Sequence, residues 1–226
     1  MNVIGFDDGP FERTHRGDVL LVGAVCSRTR LDGVVSDRVR RDGADATRRM
    51  AALVQAGPFR AHVRAVMLQG IAVGGFNVVD IHELSRLLGL PVLVVTRRPP
   101  DMDAVRQALF SDAPALRPSV RGAARKWALI ERAGAIEPLG VSHRAMRRGA
   151  RGFGHAPAKP ETRRPRGPTG LRGGGPRLWV QRAGLSLPEA RALVAATTLH
   201  GNVPEPLRLA HIIAGGVATG WSRGRA

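Results

Sequence analysis

The sequence predicts an α/β fold, a mixed sheet with helices on both faces. Three observations point there. The first 110 residues alternate short apolar runs rich in Val and Leu with segments of helical period. Three strand-like runs precede the first helical one. Hydrophobic residues make up 43% of 226, enough for one well-packed domain.

In order, strands are expected at 2–6 (NVIGF), 19–26 (VLLVGAVC) and 31–39 (LDGVVSDRV). A helix follows over about 45–56, where Asp45 or Thr47 can cap the N-terminus. Then come a strand at 64–69 (RAVMLQ), a helix at 79–88 ending before Gly89, a strand at 91–96 (PVLVVT) and a helix at 101–110. That order, β-β-β-α-β-α-β-α, is the RNase H-like arrangement. A further helix is expected over about 118–133, a strand at 178–181 (LWVQ), and helices at about 186–199 and 204–219, Pro204 suiting a first turn. Between them, residues 141–177 are rich in Arg, Gly and Pro and show no period, which predicts a flexible basic loop within a single domain spanning 1–226.

Charge narrows the partner. Lys and Arg number 35 against 18 Asp and Glu, a formal charge of +17, and residues 144–182 hold eleven of the cations with one acid, Glu161. Neutralising phosphates releases condensed counterions, so nucleic acid is the leading partner. With no Tyr, three Trp and six Phe, stacking platforms are scarce, and binding is expected to lean on charge and backbone contacts. Cys26 stands alone, which excludes an internal disulfide and a cysteine-rich zinc site. No apolar stretch approaches the roughly 20 residues of a membrane helix, and MNVIGFDDG lacks a signal-peptide layout, so a cytoplasmic protein with no membrane partner is expected. Nothing calls for an obligate protein partner. No phosphate-binding P-loop or nucleophile–histidine–acid arrangement occurs, which argues against NTPase and acyl-transfer chemistry.

Four motifs could carry chemistry. In VIGFDDG, Asp7 and Asp8 end an apolar strand before a Gly turn; hard cations take such oxygen ligands, although Asp-Asp-Gly is equally an ordinary turn. In RRDGADAT, Asp42 and Asp45 feed the first helix as acids for a metal site, or as a turn residue and a cap, while Arg40 and Arg41 could meet phosphates. In VMLQGIAVGGFNVVDI, a buried strand opens into a glycine-rich loop, where Gly70 and Gly75 permit close backbone approach and Asn77 could contact nucleic acid. Its strand ends on Gln69, whose amide cannot supply a carboxylate's charge. In GNVPEPLRLAHIIA, Glu205 and Arg208 read as an internal ion pair that anchors the last helix, and His211 as a structural histidine of that helix, with an approach to the cleft as the alternative.

FDDGPF (6–11), LDGVVSDRVRRDGADAT (31–47), VMLQGIAVGGFNVVDI (66–81), GLPVLVV (89–95) and GNVPEPLRLAHIIA (201–214) together resemble the archaeal endonuclease dU family, which is related to endonuclease V. The resemblance spans nearly the whole chain outside 141–177, and Pro204 to Ala210 with the GLSLPEA run before it also resembles the end of endonuclease V. It implies an RNase H-like fold and Mg²⁺-dependent cleavage, with Mn²⁺ as a substitute, of strands holding deaminated bases, deoxyuridine in DNA first, in DNA repair. By position it makes Asp7 the first-strand metal ligand and puts Asp42 or Asp45 where endonuclease V has its helix-start glutamate; together with the strand-end reading this gives Asp7, Asp42 and Asp45 as catalytic residues and Asp7, Asp8 and Asp42 as metal ligands. Gln69 stands where endonuclease V has an aspartate; the Pro-Tyr-Ile-Pro wedge has no counterpart before Asp42; and Ala183 or Gly184 replaces the late histidine. Arg163, Arg164 and Arg166 of the basic loop are expected to replace part of the lost duplex grip.

Overall fold

The computed structural model describes residues 1–110, 120–140, 177–199 and 201–223. Seven strands form one mixed sheet: β1 (Asn2–Asp8), β2 (Asp18–Ser27), β3 (Arg30–Arg40), β4 (Val63–Gln69), β7 (Val92–Thr96), β8 (Glu137–Gly140) and β9 (Arg177–Ala183). Their order is β3-β2-β1-β4-β7-β9-β8. The neighbouring pairs β1/β4 and β4/β7 are parallel, and the other neighbours are antiparallel. The C-terminal ends of β1, β4 and β7 therefore share one edge, the place where open α/β sheets bind ligands.

Strand alternation sorts the core into two layers. Ile4, Phe6, Val66, Leu68, Val92 and Val94 face one side, against Met50 and Val54 of α1 (Ala46–Ala56) and Ile81 and Leu84 of α2 (Ile81–Leu88). Val3, Met67, Leu93 and Val95 face the other, against Leu193 and Val194 of α5 (Leu187–Thr197) and Leu207 of α6 (Glu205–Thr219). Helices α3 (Met102–Phe110) and α4 (Ala123–Arg132) complete the set, so helices cover both faces of an α/β sheet.

The differences from expectation are local. Strand β1 runs on through Asp7 and Asp8 instead of stopping at Phe6, because both pair with β2. The glycine-rich loop holds a small hairpin, β5 (Ala72–Val73) with β6 (Asn77–Val78), turned by Gly74 and Gly75 at φ of 55° and 84°, which suit glycine. Strand β8 was not expected; Pro138 suits it to the sheet edge that it occupies. Helix α4 starts at Ala123, after Gly122 in the left-handed region, rather than near 118. Asp45 occupies the α1 cap position without a side-chain cap bond. Instead Asn77 Oδ1 accepts from Ala46 N at 3.0 Å, and Thr47 Oγ1 accepts from Asp80 N. The expected basic loop, with Arg163, Arg164 and Arg166, lies outside the described residues up to 176, and Arg177 already belongs to β9.

Gly5 sets how closely α6 approaches the sheet. A Cβ built there would lie 2.4 Å from the backbone carbon of Pro206, so the first turn of α6 rests directly on β1. The bidentate Glu205–Arg208 pair, at 2.9 and 2.6 Å, is the expected anchor of that turn.

Candidate nucleic-acid cleavage site

Asp7 is 6% exposed at the end of β1. One carboxylate oxygen accepts from Asp8 N at 3.0 Å, and the other lies 2.8 Å from His211 Nδ1 on α6. Burial, and then the neighbouring Asp8 charge, push the Asp7 carboxyl up to about 6, against the opposing pull of His211. Burial also raises Asp8, whose carboxylate accepts from Gly74 N at 3.0 Å. The result is an acidic pair short of water at the edge where parallel strands end. His211, read from the sequence as structural with an approach to the cleft as the alternative, touches it: Pro206 seats α6 closely on Gly5, and His211, the helix's seventh residue, meets the strand end.

Asp42 and Asp45 are occupied differently. Asp42 sits at φ 50°, its N–H donates to Gly74 O at 2.8 Å, and its carboxylate accepts from Phe76 N at 2.7 Å. Gly75 is required beside it, since a Cβ there would come within 2.4 Å of Asp42 Oδ1. Asp45 accepts from Arg40 N at 3.2 Å and from Asn77 Nδ2 at 2.6 Å. Both acids thus brace the turn before α1 against the β5–β6 hairpin. Among the described residues no three acidic, histidine or cysteine side chains gather closely enough to hold a metal ion, so Asp42 does not join Asp7 and Asp8 in one cluster.

The expected nucleic-acid contacts divide likewise. Asn77 is fully buried, its amide spent on Arg40 O, Asp45 and Ala46 N, so it cannot reach a ligand. Arg41 donates to the carbonyls of Arg13 and His15, and its guanidinium lies over the Phe11 ring at 5.4 Å. Its Nε is 3.3 Å from Asp42 Oδ2 but off the hydrogen-bond axis. Arg41 therefore pins the β1–β2 loop, whereas the Arg40 side chain is 64% exposed, with Asp18 Oδ1 3.5 Å from its guanidinium. Gly70, at φ 87°, leaves open space beside the end of β4.

Lys126 escaped the sequence reading. Its ammonium, on α4, is buried and donates to Asp42 O; burial lowers its pKa while Asp42 opposes the shift. A signal was present, because only two of the chain's 35 basic residues are lysines, Lys126 and Lys159. A compact ammonium fits a buried niche that a guanidinium fork would not.

Known proteins resolve what this edge belongs to. The family model of endonuclease dU matches residues 1–159 and 161–218. The chain belongs to the endonuclease dU family. Membership carries the coarse activity, a nuclease acting on nucleic acid. Endonuclease dU relatives include a UPF0215 protein of Deinococcus radiodurans, 44% identical over 99% of this chain and 92% of its own. A UPF0215 protein of Methanothermobacter thermautotrophicus is 40% identical over 100% of this chain and 92% of its own. A solved protein of unknown function from Archaeoglobus fulgidus superposes with a TM-score of 0.68 at 29% identity, covering 96% of this chain and 97% of its own. The catalytic domain of human endonuclease V shares the fold, with a TM-score of 0.51 at 17% identity over 94% of this chain and 80% of its own. Among the described residues, no helix is long and apolar enough to cross a membrane.

Proposed function

We propose that this chain is an endonuclease that cuts nucleic acid at deaminated bases, with deoxyuridine in DNA preferred over RNA substrates, in a Mg²⁺-dependent reaction that Mn²⁺ can also support. The observation that carries the reading is the desolvated Asp7–Asp8 pair, with His211 against it, at the C-terminal edge of the parallel strands. A net charge of +17 supports a polyanionic substrate.

The donor chemistry fits a hard cation. Asp7 is buried and Asp8 partly so, the Asp8 charge raises the proton affinity of Asp7, and the neighbouring strand end presents Gln69 Oε1, a buried oxygen without a hydrogen-bond partner among the described residues. The parallel register pairs Phe6 with Leu68, so Asp7 and Gln69 are next to one another along the edge. Mg²⁺ usually binds through one or two carboxylates and fills its remaining positions with water and substrate phosphate, so a closed cage is not required. Asp7 and Asp8 would hold the ion, and its chemistry there would be to make water more acidic and to stabilise charge on the leaving oxygen. His211 holds the Asp7 carboxylate in orientation from α6. The exposed Arg40 guanidinium can bind backbone phosphate.

One observation favours a second reading, a nucleic-acid-binding protein that has lost efficient catalysis: the amide of Gln69 stands in the acidic edge, and no third acid joins the pair among the described residues. Nicking of end-labelled duplexes carrying one deoxyuridine, one deoxyinosine or no lesion separates the two. Lesion-dependent cuts that need Mg²⁺ and disappear in Asp7→Ala are the expected result. Tight binding without cuts in either Mg²⁺ or Mn²⁺ would establish the second reading instead.

A further inference from the structure

We infer that the outer face of α3, where Phe110 meets Trp127 of α4, is a stacking platform for the unpaired bases of a strand that flanks the acidic edge. The inference rests on the chain's acting on nucleic acid, and not on the lesion or the metal. The chain has only three Trp and six Phe, and two of them meet here at the surface. Residues 103, 106, 107 and 110 recur at helical spacing and are exposed on α3, while Leu109 is buried beneath it. Asp103, Arg106, Gln107 and Phe110 line a cavity of about 370 Å³ on that face. A lone exposed ring is ordinary, but this one is held in a built arrangement. Trp127 Nε1 donates to Glu131 Oε1 at 2.7 Å, which fixes the indole. Phe110, 43% exposed, meets the indole edge to face, with ring centres 6.4 Å apart and planes at 68°. The Arg106 guanidinium lies 5.8 Å from the centre of the Trp127 ring and pairs with no carboxylate among the described residues.

Charge selects the occupant. Residues 97–132 hold eight Lys and Arg against four Asp and Glu, an excess that favours a polyanion over an apolar protein surface. Base faces are hidden inside a duplex and free in an unpaired strand, and every base has a π face, so such a strand can lay a base on Phe110 while Arg106 meets its phosphate. Gln107 offers a donor and an acceptor to the base edge. Asp103, the one acid of the lining, lies in the first turn of α3, where it complements the helix dipole. Two connections set the platform near the acidic edge. Helix α3 begins six residues after Thr96 ends β7, a span of at most roughly 21 Å. Lys126, next to Trp127, donates to Asp42 O; Asp42 N donates to Gly74 O, and Gly74 N donates to Asp8. The platform therefore stands beside the edge and not in it, within reach of the nucleotides that flank a strand lying across the sheet end.

The test is fluorescence anisotropy in EDTA with three labelled probes: a single-stranded oligothymidylate, a strand of the same length made of abasic sites, and an undamaged duplex. Wild type is compared with Phe110→Leu, which keeps apolar bulk without a ring, and with Phe110→Tyr, which keeps the ring. Thermal melts verify that both variants fold. Phe110→Leu is expected to bind the thymidylate on the order of tenfold more weakly, Phe110→Tyr to match wild type, and both to bind the abasic strand and the duplex as wild type does. Equal thymidylate binding by wild type and Phe110→Leu, an equal loss on the abasic strand, or no rescue by Phe110→Tyr overturns the inference. So does a wild-type dimer in sedimentation that Phe110→Leu makes monomeric while strand binding stays the same, since the face would then join two copies of the chain. Separate nicking of lesion-bearing duplex in Mg²⁺ keeps the outcomes apart: cuts without a thymidylate effect leave the nuclease standing and remove the platform, whereas a thymidylate effect without cuts leaves the platform standing and removes the nuclease.

Discussion

His211 Nδ1 lies 2.8 Å from Asp7 Oδ2, although 204 residues separate the two in the chain. The imidazole is half-exposed, and the carboxylate is not. Its hydrogen bond and its charge both hold the Asp7 carboxyl below the value that burial alone would set. Replacing His211 with Ala should therefore raise the Asp7 pKa further. The acidic limb of the cleavage pH profile is expected to move to higher pH, with a loss of roughly tenfold or more in rate at neutral pH. His211→Asn, which can still donate to the carboxylate, should recover part of the rate. A pH–rate series on the three proteins checks this, and an unmoved acidic limb in His211→Ala would show that the histidine only packs.

Asp7 also links stability to pH. Its carboxyl binds a proton more tightly in the folded chain, where burial lifts it to about 6, than in the unfolded chain, where it keeps the ordinary value of 3.8. The stabilisation from that proton is complete below about pH 4 and is lost as pH rises through about 6. In EDTA, Asp7→Asn should accordingly be more stable than wild type at pH 7, by ~1–3 kcal/mol, and the gap should close towards pH 4. Mg²⁺ should stabilise wild type much more than the variant. Urea unfolding at pH 4, 5.5 and 7 measures it. Parallel curves for the two proteins would mean that burial does not set the Asp7 proton affinity.

The acidic strand end was legible because an apolar run closing on Asp-Asp-Gly places carboxylates at a sheet edge. The sheet covered on both faces was legible because the middles of β1, β4 and β7 (residues 3–6, 65–68 and 92–95) carry no polar side chain, as strands buried on both faces require. The His211 contact was legible only as the lesser of two readings, since a histidine among apolar helix residues does not name the strand that it will meet. Asn77 and Asp45 illustrate the converse. Polar residues in glycine-rich turns look available for ligands, but here they satisfy backbone groups that the turn itself exposes. Strand β8 and the β5–β6 hairpin carry too few residues to show any period.

Lys126 ties α4 to the turn before α1 by donating to Asp42 O, and that residue is held at φ 50°. In Lys126→Met the chain volume is kept and the donor removed, which leaves a buried carbonyl unpaired. A loss of roughly 1–3 kcal/mol in urea unfolding is expected. Because the Asp7–His211 contact lies on other elements, cleavage per folded molecule should change little. A larger effect on rate than on stability would instead place the ammonium among the groups that touch substrate.

Gly5→Ala tests whether the seat of α6, rather than the side chains alone, builds the site. The added methyl would lie 2.4 Å from Pro206 C and 2.7 Å from Leu207 N, and backbone cannot rotate aside as a side chain can. Helix α6 must lift from β1, at a cost of about 1–3 kcal/mol for overpacking. His211 rides on the same helix, so its hold on Asp7 should loosen with it. Such a variant is expected to remain folded and to lose most of its cleavage activity, with an acidic limb displaced in the same direction as that of His211→Ala. If Gly5→Ala lost stability but kept the wild-type pH profile, the His211–Asp7 geometry would owe nothing to the close approach of Pro206.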